Sequence, residues 1–323
     1  MKAAVIFQKG GMPEYTDFPE PTAQNENELV VCVKATAIKH LDKSRASGEH
    51  YSTKHDLSQA KVIGGDGVAL LEDGTRVYAI GVSGMAAEKA VIDKSRMVPL
   101  PEGIDDATAA ALPNAVIGSA MGLLFKAGLK QGETVLINGA TGFTGKIAVQ
   151  IAKHYGAQKI IATGRNEQSL QSLLTLGADE IVSLKQNEEA FAAQIKNIHN
   201  NTPLDVIIDY LWGHTAEMIL SALQGRGAFT HKTRFVSIGS VTGDILQLSA
   251  ENLRSVDLQL SGSGLGSWTK DQVKKLFSEI LPEMFQLAAN KKLEVDTIST
   301  SLKNIERLWG MDTADGKRLV VTI

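Results

Sequence analysis

Three glycines at fixed spacing, Gly139, Gly142 and Gly145 in Ile137-Asn-Gly-Ala-Thr-Gly-Phe-Thr-Gly-Lys-Ile-Ala-Val-Gln150, are the residues of this chain best suited to hold a charged ligand. Glycine lets a backbone come close, and the amides that open a helix carry unsatisfied N–H groups and the positive end of its dipole. A turn of this kind between a strand and a helix holds a pyrophosphate. The reading is a dinucleotide site at Gly139, Ala140, Thr141, Gly142, Phe143, Thr144 and Gly145, with an empty tight turn as the bland alternative. About twenty residues on, where an acidic side chain would take the ribose hydroxyls of NAD, the chain reads Thr163-Gly-Arg-Asn166. The Arg165 guanidinium, between Gly164 and Asn166, suits a 2′-phosphate through charge-assisted hydrogen bonds. A solvated arginine beside a helix-capping Asn166 is the alternative. NADPH is the expected cofactor.

These residues need a sheet to stand on. From residue 119 onward the sequence predicts strands at Thr134–Asn138, Lys159–Thr163, Glu180–Ser183, Asp205–Asp209, Arg234–Ile238 and Asp257–Leu260, with mostly helical patterns between them. Strand–helix alternation implies a parallel sheet with right-handed crossovers. Phe143, Ile147, Ala148, Ile151 and Ala152 recur at helical spacing, so the helix opened by the glycine turn has one apolar face for that sheet. Before residue 118 the apolar stretches are short and separated by Gly and Pro: Lys2–Phe7, Glu28–Ala37, Gly67–Leu71, Arg76–Ile80 and Ala87–Ile92. That spacing predicts an all-β lobe. Beyond Gly262–Gly266 come an amphipathic stretch, Lys270–Ala289, and a closing strand-like Lys317–Ile323.

Bulk properties narrow the partners. A chain of 323 residues exceeds the size at which one core keeps growing, so two domains are expected. Lys+Arg 33 against Asp+Glu 36 leaves no basic field for nucleic acid or anionic lipid. The one cysteine, Cys32, lies in the apolar run Leu29-Val-Val-Cys-Val33 and reads as a small hydrophobe in a strand. No uninterrupted apolar run approaches the length of a membrane span, and a cytoplasmic protein is expected.

Two family resemblances compete. "GATGFTG" and the Tyr-x-x-x-Lys match Tyr155–Lys159 resemble short-chain dehydrogenases, but there the glycine motif opens the chain and the Tyr–Lys pair comes much later. The better match is to the medium-chain dehydrogenase/reductase superfamily, in its zinc-independent quinone oxidoreductase-like branch. "MKAAVIF", "VKATAIKHLDKSRASGEHY", "VIGGDGVALLEDGTRVYAI", "ALPNAVIGSAMGLL", the glycine turn, "DVIIDYLWG", "FVSIGS" and "GKRLVVTI" carry it. The resemblance implies an α/β protein. A GroES-like, β-rich catalytic lobe (residues 1–118, completed by 265–323) would surround an inserted Rossmann doubly wound sheet (residues 119–264). It also implies a homodimer joined near Asp257–Leu260.

Zinc enzymes of the superfamily hold their metal with a cysteine, the histidine of a Gly-His-Glu segment and a residue near the interdomain crossover. Here no cysteine stands around Lys39-His40, Gly65 takes the histidine's place, and the crossover offers Ala115. His40, His50 and His55 read as scattered loop residues. With the metal route to alcohols absent, the branch implies hydride transfer from NADPH to a quinone or an activated C=C, with a hydrogen-bond donor meeting the developing oxyanion. Lys39 and Tyr51 are the candidate donors. The Lys39-His-Leu-Asp42 segment keeps the aspartate of the branch's Asn-Pro-x-Asp/Glu pattern but not its asparagine. Asn114 and Ser119 would lie at the nicotinamide end, flanked by Gly239, Ser240 and Gly262 after the late strands. The competing functions are an NADPH-binding redox sensor or structural protein with little turnover, and a metal-dependent alcohol dehydrogenase with unusual ligands.

Overall fold

The structure, a computed structural model, describes residues 1–48, 50, 60–225, 231–311 and 315–323. They form two compact units: Met1–Asn114 with Phe277–Ile323, and Ala115–Leu276.

The first unit opens with β1 (Lys2–Ile6), β2 (Glu14–Asp17) and β3 (Glu28–Ile38), then α1 (His40–Ser47). β4 (Lys61–Val62), β5 (Asp66–Leu70), β6 (Arg76–Gly81) and β7 (Lys89–Pro99) follow, and α2 (Asp106–Ala120) begins in this unit and continues into the second. α2 continues through wider π-type turns at Met121–Ala127. By length and composition Asp106–Ala127 is apolar enough to cross a membrane, but most of it is buried inside the protein, as in a core helix.

In the second unit strands and helices alternate: β8 (Thr134–Asn138), α3 (Phe143–His154), β9 (Lys159–Gly164), α4 (Glu167–Thr175), β10 (Glu180–Ser183) and α5 (Glu188–Asn201). The series continues with β11 (Val206–Asp209), α6 (Gly213–Ala222), β12 (Thr233–Ser237), α7 (Ala250–Ser255), β13 (Leu258–Gly262) and α8 (Lys270–Lys275). All six strands are parallel, in the order β10-β9-β8-β11-β12-β13. A parallel sheet is covered on both faces, so its central strands read as unbroken apolar runs; every residue of β8 and β11 is buried. One face packs Leu136, Ile161, Ile207 and Phe235 against Phe191, Ile195 and Ile198 of α5 and Ile219 and Leu220 of α6.

The chain ends in the first unit with α9 (Leu281–Ala289), β14 (Thr297–Ser301), α10 (Ile305–Trp309) and β15 (Arg318–Thr322). The order β14-β15-β3-β5-β6-β7, with β3 also pairing β7, curls this largely antiparallel sheet into a barrel-like form. Its inward face buries Val31, Val33, Ala69, Val77, Ala79 and Ile92.

The structure departs from the sequence reading at particular elements. His40 opens α1 instead of lying in a loop, and His55 lies outside the described residues. β7 runs on past Ile92 to Pro99, through an exposed polar stretch that carries no apolar signal. β2, β4 and β14 lack an apolar run and went unread. Cys32 does lie in a strand, but on the outward side of the alternation between Val31 and Val33, and is exposed.

Candidate functional site

Parallel register lines up the carboxyl ends of the central strands. Asp209 of β11 stands opposite Asn138 of β8 and Ser237 of β12, and Ser237 stands opposite Gly262 of β13. Thr163, one residue past the last β9 residue that pairs with β8, joins the row on the other side of Asn138. Between β8 and β11 the chain reverses its order of adding strands, and at such a switch point the loops separate and leave a crevice for a ligand.

A directed set of hydrogen bonds floors this edge. The Gly139 amide donates to Thr163 Oγ1 (3.1 Å), the Thr163 hydroxyl to Asn138 Oδ1 (2.6 Å), and Asn138 Nδ2 to Asp209 Oδ1 (2.7 Å). The same carboxylate accepts the amides of Leu211 (3.0 Å) and Trp212 (3.0 Å). Asp209 has no exposed surface. Burial pushes its carboxyl up to about 6, and the three neutral donors only partly oppose that.

Each glycine of the turn above has its own reason. Gly139 takes φ +85°, and a Cβ there would come within 2.8 Å of the Leu211 side chain. At Gly145 a Cβ would strike the Ala140 backbone at 2.5 Å, so a glycine lets α3 start against the turn. A Cβ on Gly142 would meet nothing within 4 Å, which leaves an open approach to the backbone. The Gly139 and Ala140 amides are engaged by Thr163, whereas Gly142 is exposed at the N-cap of α3, where the helix dipole favours an anion. These features fit a dinucleotide pyrophosphate.

The end of β9 touches the same turn, because a Cβ on Gly164 would lie 2.2 Å from the Thr141 methyl. Asn166 caps α4 by accepting the Ser169 amide at 2.9 Å. Arg165, between them, is exposed. Gly239 follows β12 and packs so closely on Tyr210 that a Cβ would lie 2.8 Å from its carbonyl. Ser240 is exposed on the same turn, and Gly262 ends β13, three strands along from Asn138. Asn114 and Ser119 both lie on α2; Asn114 is half-buried, while Ser119 has no exposed surface and donates its hydroxyl to Ala115 O at 2.6 Å. Their neighbour Gly118 lies against the Thr144 methyl at the start of α3 and accepts the Tyr210 hydroxyl at 3.3 Å.

Asp209, Asn138, Thr163 and Trp212 were not singled out from sequence. Their signal was a polar residue closing an apolar buried strand, as in Thr134-Val-Leu-Ile-Asn138 and Val206-Ile-Ile-Asp209. Trp212 is marked only by its backbone. It takes φ 59°, ψ −160°, which costs on the order of 1–3 kcal/mol for a residue with a side chain. Its carbonyl is tied by the hydroxyls of Thr215 and Thr242, both at 3.0 Å.

The first unit buries a cluster of a different kind. Lys39, only 3% exposed, places its ammonium on Asp66 and 3.3 Å from Asp42, while its amide donates to Asp42 Oδ2 at 2.9 Å and caps α1. Tyr78 donates to Asp66 at 2.6 Å. Burial works against the Lys39 charge, yet Asp42 and Asp66 outweigh it and raise its pKa. Arg318 feels the same two carboxylates, but burial pushes it down to about 10. The Arg45 guanidinium would lie 3.3 Å from a Cβ on Gly65. This cationic company does not fit a zinc ion, and no group of three or more His, Cys, Asp or Glu able to share a metal occurs among the described residues. Tyr51 lies outside the described residues.

Residues 144–283 match the family described as zinc-binding dehydrogenase. The chain is 28% identical over 287 residues to the quinone oxidoreductase of Sus scrofa, covering 85% of this chain and 84% of that one. It is 26% identical over 356 residues to a "probable NADPH-dependent quinone reductase" of Emericella nidulans, covering 96% of each. The crystal structure of the quinone oxidoreductase of Thermus thermophilus, solved also in complex with NADPH, superposes with a TM-score of 0.79 at 26% identity, over 100% of both chains.

Proposed function

Because this chain belongs to the medium-chain dehydrogenase/reductase superfamily, in its quinone oxidoreductase-like branch, we propose that it reduces a quinone or an activated C=C with NADPH and without zinc. The observation that carries the reading is the cradle at the carboxyl edge of the parallel sheet, where Gly142 is open and Arg165 stands exposed beside Gly164. Bound NADPH supplies the hydride. The amides at the start of α3 take the pyrophosphate, and Arg165 takes the 2′-phosphate. Asn114 and Ser119 on α2, with Gly239, Ser240 and Gly262, are assigned to the nicotinamide end.

Tyr51 is proposed as the hydroxyl that meets the substrate oxygen as charge develops. Lys39, expected beside it as a second donor, has its ammonium committed to Asp42 and Asp66; its proposed task is to hold the start of α1 against β5. Zinc independence is supported by the matched positions: no cysteine stands around Lys39-His40, and Gly65 and Ala115 offer the metal no ligand. Among the described residues β13 pairs only with β12 and leaves Leu260 exposed, which supports a homodimer joined along that edge, and the location proposed is the cytoplasm.

Steady-state NADPH oxidation with a panel of quinones and enones, before and after chelation, tests the reading. Turnover that survives chelation is expected. Tight NADPH binding with no acceptor in the panel would replace it with the redox-sensor reading, and activity lost on removal of stoichiometric zinc would overturn zinc independence.

A further inference from the structure

The Asp209 carboxylate collects three donors, and their directions are forced. The Gly139 N–H can only donate, so it takes a lone pair of Thr163 Oγ1. The single hydroxyl proton of Thr163 is then directed to Asn138 Oδ1. That turns the Asn138 NH2 toward Asp209 Oδ1, which also accepts the Leu211 amide, while Oδ2 accepts the Trp212 amide. The relay that starts at the Gly139 amide therefore runs downhill to one anionic acceptor. A carboxylate suits that place, because Asn138, Leu211 and Trp212 all donate to it.

The same group fastens a second turn. Leu211 and Trp212 begin the connection from β11 to α6, where Trp212 holds its unusual φ and the Leu211 side chain bears directly on Gly139. The two turns flank the switch point between β8 and β11, so a displacement of one is passed to the other.

We infer that Asp209 is a positioning residue for the dinucleotide, its carboxylate holding the glycine turn on one side and the Leu211–Gly213 turn on the other in the arrangement that receives a pyrophosphate. The inference rests on the NADPH reading above. Asp209 touches neither the reacting atoms nor the 2′-phosphate, so its contribution falls on cofactor affinity and is shared by NADPH and NADH.

Asp209→Asn keeps size and sets an NH2 against one of the incoming donors. In the full-length protein, the Kd of both cofactors is expected to rise about tenfold or more with their ratio unchanged, and kcat at saturating NADPH to stay within about threefold of wild type. Thr163→Val breaks the relay at its middle link and should weaken NADPH binding by a smaller factor. Combining the two should cost no more than Asp209→Asn alone, since both act on one set of bonds. A folded Asp209→Asn protein that binds NADPH as wild type does overturns the inference, and so does a double variant whose loss is the full product of the single losses. If Asp209→Asn fails to fold, Thr163→Val decides, and unchanged NADPH affinity in that variant overturns it. Wild-type protein that binds neither cofactor overturns the functional reading and the inference with it.

Discussion

Asp66 and Asp209 are both buried aspartates, one opening β5 in the β-rich unit and one closing β11 in the parallel-sheet unit, and they keep different company. Asp66 meets the Lys39 ammonium and the Tyr78 hydroxyl, with Asp42 and Arg318 close enough to act on the same charges. Asp209 meets an amide side chain and two backbone N–H groups, all neutral. Burial opposes the Lys39 charge, but the full opposite charges of Asp42 and Asp66 outweigh it. Dipoles alone do not, and the carboxyl of Asp209 rises to about 6. One cluster holds its cation and ties elements together; the other carries a raised carboxyl beneath the proposed ligand site.

The most severe way to break this contrast is to take away the cation. Lys39→Met leaves Asp42 and Asp66 buried without it, and a loss of about 3–5 kcal/mol in urea unfolding is expected. Adding Asp66→Asn should restore part of that loss. A Lys39→Met protein less than about 1 kcal/mol weaker than wild type would show that the cluster is not held by charge.

The second test uses pH. The folded-state pKa of Asp209 lies above that of an unfolded aspartate, so between about pH 4 and 6 the folded protein binds the extra proton. From this group, stability therefore falls as pH rises through that window, by about 3 kcal/mol in all. Unfolding wild type and Asp209→Asn in urea at several values from pH 7 to 4 should show wild type gaining on the variant as pH falls. Parallel pH profiles would place the carboxyl in the ordinary range and remove the difference between the two clusters.

Arg165 gives a third comparison, a cation left in water where Lys39 is enclosed. Arg165→Ala is expected to weaken NADPH binding by about 10–150-fold, the equivalent of one charged hydrogen bond of about 1.5–3 kcal/mol, and to leave NADH nearly untouched. Equal losses for both cofactors would remove Arg165 from the 2′-phosphate. The smallest effect is expected from Tyr78→Phe, which deletes one donor to Asp66 while Lys39 remains, at about 1.5 kcal/mol in thermal or urea unfolding. A cost as large as that of Lys39→Met would mean that Asp66 is held by its hydroxyl partner more than by charge.

The legible parts of the chain were those whose signal is local. Thr134–Asn138 and Glu180–Ser183 were read to the residue because turn signals bound apolar runs there, and the spacing of Gly139, Gly142 and Gly145 declared the turn that follows β8. Lys61–Val62 is too short to show a period, and Thr297-Ile-Ser-Thr-Ser301 is too polar to resemble a strand. Asn138, Thr163 and Asp209 could each be seen ending a strand. Their union could not, since it depends on which strands become neighbours, and Asn138 and Asp209 are 71 residues apart in sequence. Lys39 was read as a donor for a substrate because its loop resembled a substrate loop. Its enclosure by Asp42 and Asp66 needs the meeting of α1 and β5.

That enclosure has a further consequence. The cation between Asp42 and Asp66 is a part of the polypeptide. A bound ion exchanges with the medium, and its occupancy follows supply by mass action. The Lys39 ammonium has no such equilibrium: every folded copy carries it at any dilution, and it arrives when β3 and β5 assemble. A competing ligand cannot draw it off, and it departs only when the strands themselves come apart.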